Sequence, residues 1–204
     1  MEVNRRTQAD RSAATKRALV DAARPLFAEH GFGGVGTEAI VRAAGVTRGA
    51  MYHQFADKTE LFAAVFEAVE ADVMGRLGAL VAQDLAADAD PIDVMVRALA
   101  GWLEVCADPE VARLALIEAP SVLGWERWRA IGERHAIGVV EALVVHAIEL
   151  GRLPPQPPRP LVHVVIGAAD EAALYVARAE DADRARAEMT DVLTRLARAL
   201  AVEG

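Results

Sequence analysis

The chain has 204 residues, 53% hydrophobic and 25% charged, with a net charge of −8, which suits one medium domain plus a small one and supplies ample material for a core. No run of about 18 uncharged apolar residues occurs, so no membrane span is expected. Met1–Arg17 is polar and lacks the apolar middle of a signal peptide, so a cytoplasmic protein is expected, and the lone Cys106 excludes an internal disulfide.

The pattern in chain order is helical almost throughout. Leu19, Ala22, Ala23, Leu26 and Phe27 recur at spacings of three and four, one face of a helix that Gly31 ends as a C-terminal cap. Thr37 caps a short helix through Ala44, with Gly45 as its stop, and Thr47 caps the next, to about Phe55. Asp57-Lys58-Thr59-Glu60 has the reciprocal capping pattern and opens a long helix. Its stripe is Leu61, Phe62, Val65, Phe66, Val69, Val73, Leu77 and Leu80. Asp90-Pro91 and Asp108-Pro109 each place a capping Asp before a Pro at the first helical position, and Pro120 breaks the second of these helices. A further helix spans about Trp125 to Leu150 and stops at Gly151. Leu153–Pro160, with five prolines, reads as a stiff extended connector. Two last helices cover about 160–179 and 183–201.

Thr37–Lys58 carries the chemistry. Two short helices joined at a Gly make a helix-turn-helix, which sets its second helix in the major groove of DNA. Ile40, Val41 and Ala44 give the first helix an apolar face, and Ala50, Met51 and Phe55 give the second its inner face. Thr47, Arg48, Gly49, Tyr52 and His53 are left outside, able to meet base edges or phosphates. Charge agrees: residues 1–58 hold nine Lys/Arg against six Asp/Glu, a balance of +3, and the remainder is −11. A basic front on an acidic body orients a molecule on a polyanion.

The strings TKRALVDAARPLFAEHGF and TEAIVRAAGVTRGAMYHQFADKTELFAAV, from Thr15 to Val65, resemble the DNA-binding region of the tetracycline-repressor (TetR) family. The resemblance implies an all-α protein: a flexible arm at 1–14, a three-helix DNA-binding domain at 15–57, and a ligand-binding and dimerisation domain at 58–204, about nine helices in all. It further implies a homodimer on a two-fold double-stranded DNA operator, released by a small-molecule effector, with repression as the family's default. By that resemblance Tyr52 and Lys58 meet the DNA backbone, Thr37 caps its helix and meets a phosphate, and Thr47, Arg48, Gly49 and His53 fall where bases are read. Arg48 suits bidentate recognition of guanine, and Gly49 permits close approach. Each has a plainer reading: Thr37 as cap only, His53 as solvated, Tyr52 as packing. Arg5, Arg6 and Arg11 read either as a minor-groove arm or as a tail without a role.

In the body, the helix from Leu161 to Val176 is apolar nearly all round, and the last has the stripe Met189, Val192, Leu193, Leu196, Ala197 and Leu200. The resemblance puts the dimer interface here, assigned to Val165, Ala169, Ala172, Val192, Leu193, Leu196 and Leu200; an intramolecular core is the alternative. Trp102, Cys106, Glu118, Trp125, Trp128, Glu171 and Tyr175 are candidate ligand contacts, with core packing as the other reading. The expected effector is apolar or amphipathic and mostly uncharged. The long helix from Lys58 is expected to join the two sites. An enzyme is not expected: the chain has no Gly-x-Ser-x-Gly elbow, no Glu-x-x-His pair and no phosphate-binding Gly loop. His135, His146 and His163 lack metal-site spacing, so no metal or cofactor is expected. A helical adaptor that never meets DNA is the rival binding reading, opposed by the polar face of Thr47–His53.

Overall fold

A computed structural model describes residues 2–202, with side chains from Gln8 onward. The described residues form helices α1 (Glu2–Gly34), α2 (Thr37–Ala43), α3 (Arg48–Gln54), α4 (Lys58–Ala86), α5 (Pro91–Cys106), α6 (Pro109–Val111), α7 (Ala119–Leu123), α8 (Trp125–Glu149), α9 (Pro158–Arg178) and α10 (Ala182–Ala199). A π-helical stretch, Ala112–Glu118, lies between α6 and α7. By contact the chain divides into two compact units, one of residues 1–69 with 113–128, the other of 70–112 with 129–204.

In the first unit, α1 runs back to Glu2, so residues 2–14 are helical where a flexible arm was expected. No Gly or Pro interrupts that stretch, and its alanines favour helix. The Arg5 and Arg6 side chains lie outside the described residues. Leu19, Ala23 and Phe27 are buried as the periodicity predicts, along with Ile40, Val41, Met51, Phe55, Leu61, Phe62, Val65 and Phe66. Phe62 stands edge-on to both Phe27 and Phe32, with ring centroids 5.2 and 5.5 Å away. These rings tie the first turns of α4 to α1, so this unit extends beyond residue 57.

Gly31 interrupts α1 at φ +71°, a conformation costly for any side chain. Asp90 and Asp108 cap α5 and α6 as predicted, accepting from the Ile92 and Glu110 N–H groups at 2.8 Å each. Pro120 does not break its segment: it stands in the first turn of α7, after the π-helical stretch. Wider turns relieve the crowding a proline ring imposes on the carbonyl four residues back. The Pro-rich connector likewise ends earlier than expected, because Pro158 and Pro160 occupy the first turn of α9, where a missing N–H costs no helical bond.

The second unit centres on Val81, Ile92, Val94, Met95, Leu143, Val144, Leu161, Val162, Ile166 and Ala197. The α4 stripe continues through Val81, whereas Leu80 is exposed. Helix α10 packs on α5 and α9. Helix α9 has the length and composition to cross a membrane, yet Leu161, Val162, Ile166 and Ala172–Leu174 are buried.

Candidate nucleic-acid interface

The turn between α2 and α3 is built by Gly45 at φ +64°, after which the Val46 N–H donates to the Val41 carbonyl at 3.0 Å. Thr47 caps α3, its hydroxyl accepting from the Ala50 N–H at 3.1 Å. Thr37 does not cap α2. Gly36 takes that position with extended backbone, and its carbonyl accepts from Ala39 and Ile40. Thr37 is instead the first helical residue, half-buried.

Helix α3 is two-faced. Met51 is wholly buried, and Phe55 is buried just beyond the helix. Thr47, Arg48, Gly49, Tyr52 and His53 are all exposed, with Tyr52 at 44%. Ser12 on α1 and Gln54 on α3 exchange hydrogen bonds at 2.9 and 3.2 Å, which fixes the end of α3 on α1. Arg48 pairs with Glu38 at 3.0 Å and lies over the Tyr52 ring, 5.6 Å from its centroid. Tyr52 first, then Glu38, raises the Arg48 pKa further above its ordinary value, so the guanidinium stays charged.

Lys58 is anchored within the chain. Its ammonium donates to the carbonyls of Phe32 (2.8 Å) and Val35 (3.0 Å) and sits 4.1 Å from the Phe32 ring centroid. Two of its three protons are thereby used, leaving one for another acceptor. The capping box at α4 is half formed. Asp57 accepts from the Glu60 N–H at 2.9 Å, but the Glu60 carboxylate turns to Arg127, which donates to both its oxygens at 2.6 and 2.8 Å. That bond holds Glu60 below the usual carboxylate range.

The expected ligand contacts are divided between the two units. Glu118, Trp125 and Trp128 belong to the first unit, and Trp102, Cys106, Glu171 and Tyr175 to the second. Glu118 accepts from the Phe32 N–H at 3.3 Å and lies 3.9 Å from Arg113, so it caps the break in α1. Trp128 is buried with its indole N–H on the Ala115 carbonyl at 2.8 Å; Trp125, 4.8 Å from it, is exposed. Glu171 and Tyr175 are exposed on α9. Trp102 donates to the Ala169 carbonyl at 3.0 Å.

Beside Trp102 the second unit holds a polar cluster that sequence reasoning missed. Glu70 on α4 is 5% exposed, and among the described residues no cation is paired with it. Burial, then Asp170, pushes its carboxyl up to about 7. Burial likewise raises Asp170 to about 6, opposed by Arg129. Arg129 donates to Asp170 at 3.3 Å and to Glu133 at 3.0 Å, and His163 stands 3.5 Å from Glu133. Cys106 is buried, and desolvation followed by Glu70 and Asp170 pushes its thiol well above the ordinary range.

The expected dimer residues separate into two sets. Leu193 and Ala172 are buried inside the chain, because α10 packs on α5 and α9, and so are not available to meet a second chain directly. Val165 and Ala169 are half-buried. Val192, Leu196 and Leu200 are exposed, as are Val164 and Tyr175 on α9.

Comparison with known proteins gives a consistent picture. Residues 19–65 match the profile of bacterial regulatory proteins of the tetR family, and residues 92–200 match that of the tetracyclin repressor-like C-terminal domain. The chain is 33% identical over 102 residues to the HTH-type transcriptional regulator AcrR of Shigella flexneri, covering 50% of this chain and 46% of AcrR. It spans about half the length of the relatives it matches. Among solved structures, a TetR-family transcriptional regulator from Pectobacterium atrosepticum superposes with a TM-score of 0.83 at 29% identity, over 95% of this chain and 97% of that one. RolR in complex with resorcinol shares the fold, with a TM-score of 0.70 at 23% identity over 94% and 95% of the two chains.

Proposed function

This chain belongs to the tetracycline-repressor (TetR) family of regulatory proteins, and from that premise we propose that it is a homodimeric repressor released from a two-fold operator by a small organic effector. The family is one of DNA-binding transcriptional regulators, not enzymes. The observation that carries the proposal is the division of α3: Met51 is sealed inside while Thr47, Arg48, Gly49, Tyr52 and His53 stand out together. A helix anchored on one side and polar on the other is what major-groove reading requires. In this reading Arg48 leaves Glu38 for a guanine edge, Tyr52 and the remaining Lys58 proton meet phosphates, and Thr37, free of the capping role, offers its hydroxyl to the backbone.

Dimerisation rests on the exposed apolar residues of α9 and α10, Val164, Tyr175, Val192, Leu196 and Leu200, which water would otherwise cover. The effector is assigned to the second unit, and α4, whose residues are divided between the two units, is the element through which its binding reaches the DNA-reading unit. RolR, solved with resorcinol, illustrates that the fold accommodates a small aromatic molecule.

Selection of bound sites from random DNA tests the proposal. A two-fold-related consensus, bound with steep salt dependence, is the expected result. Retention of random DNA without any consensus, or no retention at low salt, overturns it.

A further inference from the structure

We propose that Glu38 on α2 is a second base-reading residue, its carboxylate accepting a hydrogen bond from the amino group of a cytosine beside the guanine that Arg48 meets. The proposal rests on the reading of this chain as a DNA-binding regulator in which Arg48 turns to a guanine edge, and it places a specificity residue outside α3.

An acid is out of place on a face that meets a polyanion. Glu38 is the second residue of α2, two positions before the buried Ile40. Its side chain is 67% exposed, and its Oε1 lies 3.0 Å from Nη1 of Arg48, itself 61% exposed. An ion pair so open to water adds little to the fold. It is also not the pair that α2 alone would make. Arg42 stands one turn further along α2, at the spacing where a Glu and an Arg of one helix pair, yet the carboxylate crosses to the first residue of α3. A carboxylate repels phosphates, so an acid here weakens binding to every DNA sequence unless it finds a donor. Once Arg48 turns to guanine, Glu38 has lost its guanidinium and needs another partner.

The major groove supplies that partner. Its base edges present two kinds of amino group, N4 of cytosine and N6 of adenine. Adenine presents the N7 acceptor beside N6, which opposes the second carboxylate oxygen, whereas cytosine presents its amino group alone. Cytosine is therefore the complement of a carboxylate. The geometry of the pair sets its place. Stacked base pairs lie about 3.4 Å apart, close to the 3.0 Å between the two side-chain atoms. A guanine under Arg48 thus puts the cytosine on the adjacent base pair. The Tyr52 ring, its centroid 5.6 Å from the Arg48 guanidinium, keeps the cation on the α3 side, and the carboxylate reaches in from α2.

The test selects bound sites from random DNA with the full chain and with Glu38→Gln, Glu38→Ala and Arg48→Ala, each checked for an intact fold by circular dichroism. The unaltered chain should select a guanine with a cytosine on the next base pair in each half-site. Glu38→Gln should keep the guanine and exchange that cytosine for adenine, because a Gln amide pairs with adenine N6 and N7. Glu38→Ala should keep the guanine and accept any base at the cytosine position. Arg48→Ala should lose the guanine and keep the cytosine. Measured on the selected operator and on a copy with adenine at that one position, the unaltered chain should favour cytosine by about tenfold or more, and Glu38→Gln should reverse the order. An unchanged consensus in both Glu38 variants overturns the proposal. Loss of the guanine in Glu38→Ala also overturns it, since Glu38 would then only hold Arg48 in place. So does tighter binding of Glu38→Ala to all sequences alike, the mark of a repelling bystander. A consensus indifferent to Glu38 removes this inference and leaves the regulator, whereas no consensus from the unaltered chain removes the regulator and the inference with it.

Discussion

Glu70→Gln should make the ligand-free protein more stable at pH 8 and have a much smaller effect at pH 5. An ordinary glutamate near 4.5 rises to about 7 in the fold because burial, then Asp170, opposes its charge. The sign follows from proton binding: between those values the unfolded chain has released its proton and the folded chain has not. Stability therefore falls as pH rises from about 4.5 to about 7 and stays reduced above that. At 1.36 kcal/mol per unit, ionised Glu70 costs the fold about 3 kcal/mol. Gln is nearly isosteric, never ionises, and so removes that cost. For a chain of this size, 1 kcal/mol moves the melting temperature by roughly 2–4 °C, so the variant should melt about 6–12 °C higher at pH 8. Thermal unfolding followed by far-UV circular dichroism at the two pH values measures the difference. A variant that melts below the wild type at pH 8, or by the same margin at both pH values, would refute the reasoning.

Three further outcomes are expected. Leu196→Asp with Val192→Asp should give a folded monomer, because both side chains are exposed in the protomer, whereas Leu193→Asp, at a position 3% exposed, should unfold it by burying an unpaired charge; sedimentation and circular dichroism distinguish these, and a surviving dimer of the first variant would remove α10 from the interface. Gly31→Ala should cost about 1–2 kcal/mol for its left-handed backbone alone and more because its methyl group would stand 2.5 Å from Glu118 Oε1; an unchanged melting temperature counts against the role given to Glu118. Arg48→Ala should cost about 1–3 kcal/mol of operator specificity, while Glu38→Gln, which breaks only an exposed pair, should change stability by less than about 1 kcal/mol; a full specific-to-nonspecific ratio in the Arg48 variant refutes base reading by this residue.

Legibility in the sequence followed the range of the interactions involved. The faces of α3 were readable because Met51 and Phe55 keep helical spacing against Thr47, Arg48 and Tyr52, and the caps Asp90 and Asp108 act on residues two positions ahead. Errors begin where a distant partner competes. Glu60 abandons its local cap for Arg127, 67 residues on, and Glu118 serves Phe32, 86 residues back. The stripe of α10 was visible, but not that Leu193 faces α5 and α9 while Leu196 faces outward, since adjacent faces of one helix share a single apolar pattern. The acid cluster was least readable. Glu70, Arg129 and Asp170 come from α4, α8 and α9, and the acid-rich sequence offers no local hint of which carboxylates become buried.

Cys106 has a practical corollary. Its sulfur is buried and its thiol is kept protonated by desolvation and two nearby acids, so the nucleophilic thiolate is scarce. It is also the only cysteine in the chain. The native protein should therefore be nearly silent toward maleimide reagents while folded. A cysteine introduced at an exposed position such as Gln8 or Glu188 becomes a unique chemical handle, without first deleting the natural thiol. Paired fluorophores or spin labels attached there would report separations between the two chains of the proposed dimer, with and without DNA, in an otherwise unaltered chain.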